Sequence, residues 1–129
     1  MATLFTQIVE GKIPCHKIAE NEDFLAFLDI SPLATGHTLV IPKKEVDYFF
    51  DLDDDLLAKI NLFAKTVATQ IKSVIPCKRV GVAIIGLEVP HAHVHLVPLQ
   101  NVSDINFERP KMTVTHKELA ETAAKIRMA

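Results

Sequence analysis

A chain of 129 residues, 49% hydrophobic and 23% charged, has room for one globular domain spanning residues 1–129 and excludes a second core. Its 14 basic and 16 acidic residues leave a formal net charge of -2, which excludes the highly charged composition of a disordered chain and the basic face of a nucleic-acid binder. No run approaches the roughly 18 apolar residues of a membrane span.

Cys15 and Cys77 lie far apart and form neither a metal-binding pair nor a disulfide framework, so reduced thiols are expected. The segment Met1 to Glu10 has neither the basic start nor the apolar run of a signal peptide. A cytoplasmic protein with a small partner is the expectation.

In chain order, residues 4 to 10 predict a short helix with Leu4, Phe5, Ile8 and Val9 on one side, stopped by Gly11 and Pro14. The run Phe24 to Ile30 is aromatic-bearing, short and closed by Ser31 and Pro32, which predicts a buried strand. Period two sends Phe24, Ala26, Leu28 and Ile30 one way and Leu25, Phe27 and Asp29 the other. Gly36 opens a second strand, His37 to Ile41, ended by Pro42. The acidic cluster Asp51 to Asp55 caps the best helix, a solvated start followed by Leu56, Ile60, Phe63, Val67 and Ile71 as one apolar stripe to about Ser73. Arg79 to Ile85 and His91 to Leu99 predict two strands around a turn at Gly86, and Thr115 with Glu118 has capping-box spacing ahead of a last helix. Connections too short for parallel crossovers favour an α+β fold with an antiparallel sheet.

Three of the six histidines sit together as His91, His93 and His95. Spaced by two on a strand, they share one face while Ala92, Val94 and Leu96 share the other and can pack on the long helix. A lone histidine is ordinarily a core or surface residue satisfied by a hydrogen bond, but a row of three rings whose charges would repel is not something a structural role asks for. Zinc could take two of them; the outer pair, about 13 Å apart at their Cα atoms, is too far separated for one ion with Zn–N bonds of about 2.0 Å. His16, His37 and His116 are isolated in sequence, and His16 and His37 are read as structural or surface residues. The remaining chemistry is nucleophilic. A neutral imidazole attacks well near neutral pH, flanking imidazoles can contact an anion, and His93, flanked on both sides, is the natural attacker on a phosphoryl group.

The segment His91-Ala-His-Val-His-Leu-Val97 resembles the motif of the histidine-triad (HIT) family of nucleotide hydrolases and transferases. The likeness extends over Phe5 to Pro14, Ala26 to Pro32 and Gly36 to Lys44, and Gly86 and Val89 fit the family's approach to the triad. The resemblance implies a HIT-like fold of about five antiparallel strands with one long helix, a short N-terminal helix and a C-terminal helix. It also implies a homodimer and hydrolysis of purine nucleoside 5'-phosphoramidates or related adenylylated conjugates through a nucleotidyl-histidine intermediate, without a cofactor. His93 would be the nucleophile, with His91 and His95 orienting it and binding the α-phosphate or leaving group. Asp29 would bind ribose. Phe5, Ile8, Ile13, Phe27 and Ile30 would form the base pocket, and backbone at Glu88 and Val89 would contact phosphate.

Three features depart from the pattern. Leu87 replaces the usual Gln and removes an amide donor, and the loop Ile84 to Val89 has no counterpart of the usual Asn. The zinc set of many relatives, an N-terminal Cys pair, a His after the Ile-Pro-Lys segment and the first triad His, lacks its Cys pair and has Glu45 in place of that His. No metal is therefore expected. The alternative reading is a nucleotide-binding or protein-interaction module with weak or lost catalysis, for which Leu87 is the best support.

Overall fold

The computed structural model describes residues 2–129. Helix α1 (Leu4–Val9) is capped by Thr3, whose hydroxyl accepts from the Thr6 amide. It leads into strands β1 (Lys17–Glu20), β2 (Phe24–Leu28) and β3 (Thr38–Pro42). The long helix α2 (Asp54–Val74) follows, then β4 (Arg79–Ala83), β5 (Val94–Leu99) and helix α3 (His116–Arg127). The five strands form one sheet in the order β1-β2-β3-β5-β4, and every neighbouring pair is antiparallel.

Asp53 caps α2 by accepting from the Leu56 amide at 2.8 Å, with Asp54 and Asp55 in the first turn. Its stripe buries Ile60, Ala64, Val67 and Ile71, and Leu56 and Phe63 pack at the margin. The expected capping box of α3 forms between Thr115 and Glu118. Helix α3 buries Leu119, Ala123 and Ile126 in the core shared with α2 and one face of the sheet.

All five residues of β2 are buried because both of its faces are covered. Phe24, Ala26 and Leu28 join Val40, Val94 and Leu96 under the helices. Leu25 and Phe27 join Leu39 and Ile41 on the other face, where Phe5 of α1 closes a second apolar cluster with Ile8 and Val9 against it. The two-residue period thus gives one apolar face to the long helix and the other to the side from which His93 and His95 project.

Strand boundaries differ from the sequence expectation for local reasons. The strand expected over Phe24 to Ile30 stops at Leu28, because the Asp29 carboxylate accepts from the Ser31 amide at 2.8 Å and turns the chain. Ile30 is left 62% exposed rather than continuing the buried stripe. The strand expected over His91 to Leu99 begins at Val94. His91 and Ala92 spend their amides on the carbonyls of Val89 and Val46, outside the ladder. Pro98 lies beyond the last β3 partner, at Thr38 and Leu96, so its missing N–H leaves no β3 bond unmade. The expected strand Arg79 to Ile85 ends at Ala83. Strand β1 was not expected: four residues with two charged ends and only Ile18 fully buried carry too little pattern. It is held by β2 and by α3, whose Arg127 donates to the Lys17 carbonyl.

His16 and His116, a hundred positions apart, meet on the surface beside β1. Their rings stack with centroids 5.3 Å apart and their Nε2 and Nδ1 atoms are 3.1 Å apart.

Candidate active site

The three triad histidines converge, but not as a plain row on one strand. His91 and His93 precede β5 and only His95 lies within it. Phe5 of α1 stands edge-on to both of the first two rings, with centroids 5.7 Å from His91 and 5.1 Å from His93, and against Phe27 at 5.7 Å. His93 and His95 are in contact, with centroids 4.9 Å apart. All three are buried: His91 is inaccessible, His93 is 6% exposed and His95 8%.

Hydrogen bonds assign the protons, because each imidazole nitrogen must be either donor or acceptor. The Leu33 amide donates to His37 Nδ1 at 3.0 Å, so neutral His37 carries its proton on Nε2. That Nε2–H donates to His95 Nδ1 at 3.0 Å, so neutral His95 carries its proton on Nε2. His93 Nδ1–H donates to the His91 carbonyl at 2.8 Å, which leaves the Nε2 lone pair of His93 unprotonated. His91 Nε2–H donates to the Pro42 carbonyl at 2.8 Å, and its Nδ1 accepts from the Thr3 hydroxyl at 2.8 Å. Among the described residues neither His93 Nε2 nor His95 Nε2 has a hydrogen-bond partner. A lone pair and an N–H donor therefore stand side by side.

Burial keeps the supporting rings neutral. It pushes His95 down to about 3, helped by the Lys111 ammonium and by His93 and His37, on which any proton would repel one on His95. It pushes His37 down to about 4, with Lys111 again assisting. His91 is lowered by burial too, partly offset by the Pro42 carbonyl and Glu45. Asp29 lies 3.7 Å from His37 Nε2; its carboxyl is raised by burial, against the Ser31 amide and Lys111.

The residues that the resemblance assigned to nucleotide contacts are distributed unevenly. Phe5 and Phe27 lie in the buried cluster beneath His91 and His93, with Ile8 and Val89 packed on it. Ile13 is half-buried, while Ile30 and Glu88 are exposed. Asp29 stands at the His37 and His95 end. A cavity of about 110 Å³ lies behind Asp29 and His37, walled on its far side by Met112, Thr113 and Leu119, and it includes no triad histidine.

Sequence reasoning missed His37 and Phe107. His37, read as structural or surface, is 1% exposed and is the ring on which His95 rests. Its place two strands away became relevant only when β3 paired with β5, Leu39 opposite His95. Phe107 sits edge-on to His95 with centroids 4.5 Å apart and reaches His37 at 6.0 Å.

The residues do not fit zinc where the resemblance would put it. Thr3, Thr6 and Glu45 meet His91 there as a hydrogen-bonded cluster. Glu45 Oε1 accepts from the Thr3 amide at 2.8 Å and the Thr6 hydroxyl at 2.6 Å. These bonds hold the Glu45 carboxyl below its ordinary range. Hydroxyls replace thiolates, and both His91 nitrogens are already committed. Asp29, His37 and His95 also bring possible ligand atoms within 4.8 Å of one another. A metal on His37 Nε2 would need a proton on Nδ1, directly against the Leu33 N–H, so hydrogen bonding suits this trio better than coordination.

Residues 10–102 match the HIT domain family. An uncharacterised HIT-like protein of Mycoplasma genitalium is 42% identical over 100 residues, covering 74% of this chain and 71% of that protein. An adenosine 5'-monophosphoramidase of Schizosaccharomyces pombe is 36% identical over 105 residues, covering 78% and 77%. The crystal structure of a HIT-like protein from Bartonella henselae superposes with a TM-score of 0.84 at 28% identity, covering 98% of this chain and 95% of that one.

The lowered His37 and His95 bind more protons unfolded, near their ordinary 6.5, than folded, so folding stability should fall as pH drops below 6.5 toward 3. Asp29, raised by folding, acts with the opposite sign only nearer the carboxylate range. Denaturant unfolding should therefore give a lower free energy at pH 5.5 than at 7.5, with a smaller difference in His37→Asn; equal values in the native chain would contradict the buried neutral pair.

Proposed function

Because this chain belongs to the HIT family, we propose that it hydrolyses purine nucleoside 5'-phosphoramidates or related adenylylated conjugates, with His93 as nucleophile. The observation that carries the reading is the 2.8 Å contact between His93 Nδ1 and the His91 carbonyl, which assigns the proton to Nδ1 and frees the Nε2 lone pair for attack. The phosphoramidase from Schizosaccharomyces pombe supports the substrate class.

In the first displacement Nε2 forms a bond to the α-phosphorus and the bond from phosphorus to the amine breaks, the amine taking a proton from solvent as it leaves. In the second, water adds to phosphorus and releases a proton to solvent, the bond to His93 breaks with its electron pair returning to Nε2, and a nucleoside monophosphate is released. His95 Nε2–H donates to a phosphate oxygen as charge develops. His91 holds His93 in place through its carbonyl and is itself pinned by Thr3 and Pro42. Asp29 takes the ribose hydroxyls, and Phe5, Ile8, Ile13, Phe27 and Ile30 take the base, with backbone at Glu88 and Val89 toward phosphate.

The reading treats residues 1–129 as one HIT domain working in the cytoplasm as a homodimer. Strand β4 supports the dimer: it lies at the sheet's end with β5 as its one neighbour. Val82 is 59% exposed and the apolar side chains of Ile84, Ile85 and Leu87 continue from it. The opposite edge, β1, is covered by α3 and carries charge. Among the described residues no helix is long and apolar enough to cross a membrane.

Hydrolysis of adenosine 5'-phosphoramidate in EDTA should proceed in the native chain and fall by about a thousandfold or more in His93→Ala. Wild-type turnover in the variant would contradict the nucleophile. AMP binding without turnover in either would favour the binding-module alternative, with Leu87→Gln as the reversion to try. Sedimentation should give a dimer that Val82→Lys converts to monomer; a native monomer at micromolar concentration would remove the dimer.

A further inference from the structure

Most of the segment between β5 and α3 lies beyond the residues matched to the HIT domain, yet its Phe107 touches the site. It is tied down at several points. The Met112 amide donates to the Pro32 carbonyl at 2.8 Å, fastening the segment to the turn that joins Asp29 to His37. Lys111 Nζ donates to the Phe107 carbonyl at 2.6 Å and lies 5.9 Å from the centre of that ring. Arg109 donates to the Ser103 carbonyl at 2.7 Å. The strap so formed presents the Phe107 ring, itself half-buried, edge-on to His95 and His37.

His95 holds its orientation only while it is neutral. A second proton would make both of its nitrogens donors, and its Nδ1–H would then face the Nε2–H of His37. His37 cannot reverse, because its Nδ1 already accepts from the Leu33 amide. Protonation of His95 therefore breaks the 3.0 Å bond and releases the ring.

We infer that Phe107 is a positioning residue: its ring excludes water from His37 and His95, keeps both unprotonated and so locks His95 with Nε2–H toward the phosphate site. The charged and titratable groups facing this pair are His93 beside His95, Asp29 beside His37 and the Lys111 ammonium on the strap. Lys111 acts in the same direction as the phenyl ring, since a nearby cation disfavours a second one. Burial is the larger cause of the low values of about 3 for His95 and about 4 for His37. The catalytic consequence rests on the proposed nucleotidyl chemistry; the protonation state of the rings does not.

The test is a proton–nitrogen NMR titration of the imidazoles in the native chain, Phe107→Ala and Phe107→Leu, alongside phosphoramidate hydrolysis from pH 5 to 8. The native His95 should stay neutral down to pH 5. In Phe107→Ala it should titrate between pH 5 and 7, and Phe107→Leu, which keeps an apolar cover, should restore the neutral ring. Turnover in Phe107→Ala should lie within about threefold of native at pH 8 and fall by about tenfold or more relative to native at pH 5.5. A His95 that stays neutral to pH 5 in Phe107→Ala, or one that titrates equally in the alanine and leucine variants, would overturn the inference. Absence of hydrolysis in every form, with the NMR behaviour as expected, would instead count against the proposed reaction and leave the role of Phe107 standing.

Discussion

One backbone donor fixes two of the proton positions at this site. The Leu33 amide, in the turn between β2 and β3, takes the Nδ1 lone pair of His37 and so dictates where the next two protons lie. A neutral imidazole has one donor and one acceptor, so a chain of them transmits a single choice along its length. At the other end the His91 carbonyl makes a separate choice for His93. The two meet at adjacent rings, giving a lone pair on one and an N–H on the other. Nucleophilic attack on an anionic phosphoryl group needs that asymmetry, since two donors could not attack and two acceptors would repel the phosphate oxygens.

The fold makes the arrangement affordable. Placing polar rings where they are almost inaccessible is costly unless each nitrogen is used or poised for a ligand. Here the apolar surround comes from the second face of the sheet and from α1, whose Phe5 wedges between the first two triad rings and Phe27. The same helix supplies Thr3, which caps its own first turn and also fixes His91. With Glu45 and Thr6 this forms a hydrogen-bonded brace where the resemblance would put zinc, so orientation of His91 is obtained from neutral hydroxyls and one exposed carboxylate. The Phe107 strap completes the enclosure from the opposite side.

Much of this was legible in the chain, and the reasons differ by element. The stripe of α2, a cap within the Asp51 to Asp55 cluster and the capping box at Thr115 are local patterns, and they appear as read, with Asp53 as the capping residue of the cluster. The alternation that separates Phe24, Ala26 and Leu28 from Leu25 and Phe27 is equally local and holds. The triad was recognisable because three histidines share one spacing. What escaped depends on pairing between distant segments. His37 acquires its role from the β3 and β5 register, and Phe107 from a strap that folds back over residues a dozen positions earlier. Strand β1 escaped for another reason, since its order comes from neighbours on both sides rather than from its own four residues. The strand boundary at Val94 reflects competition: the backbone of His91 and Ala92 finds partners at Val89 and Val46 and leaves the ladder.

The site therefore depends on proton placement more than on any single charge, and proton placement can be observed directly. Long-range proton–nitrogen correlation spectra at neutral pH distinguish the two neutral forms of each histidine. His93 should carry its proton on Nδ1, while His37 and His95 should carry theirs on Nε2. A proton on Nε2 of His93, or on Nδ1 of His95, would contradict the hydrogen-bond chain and with it the assignment of attacker and donor.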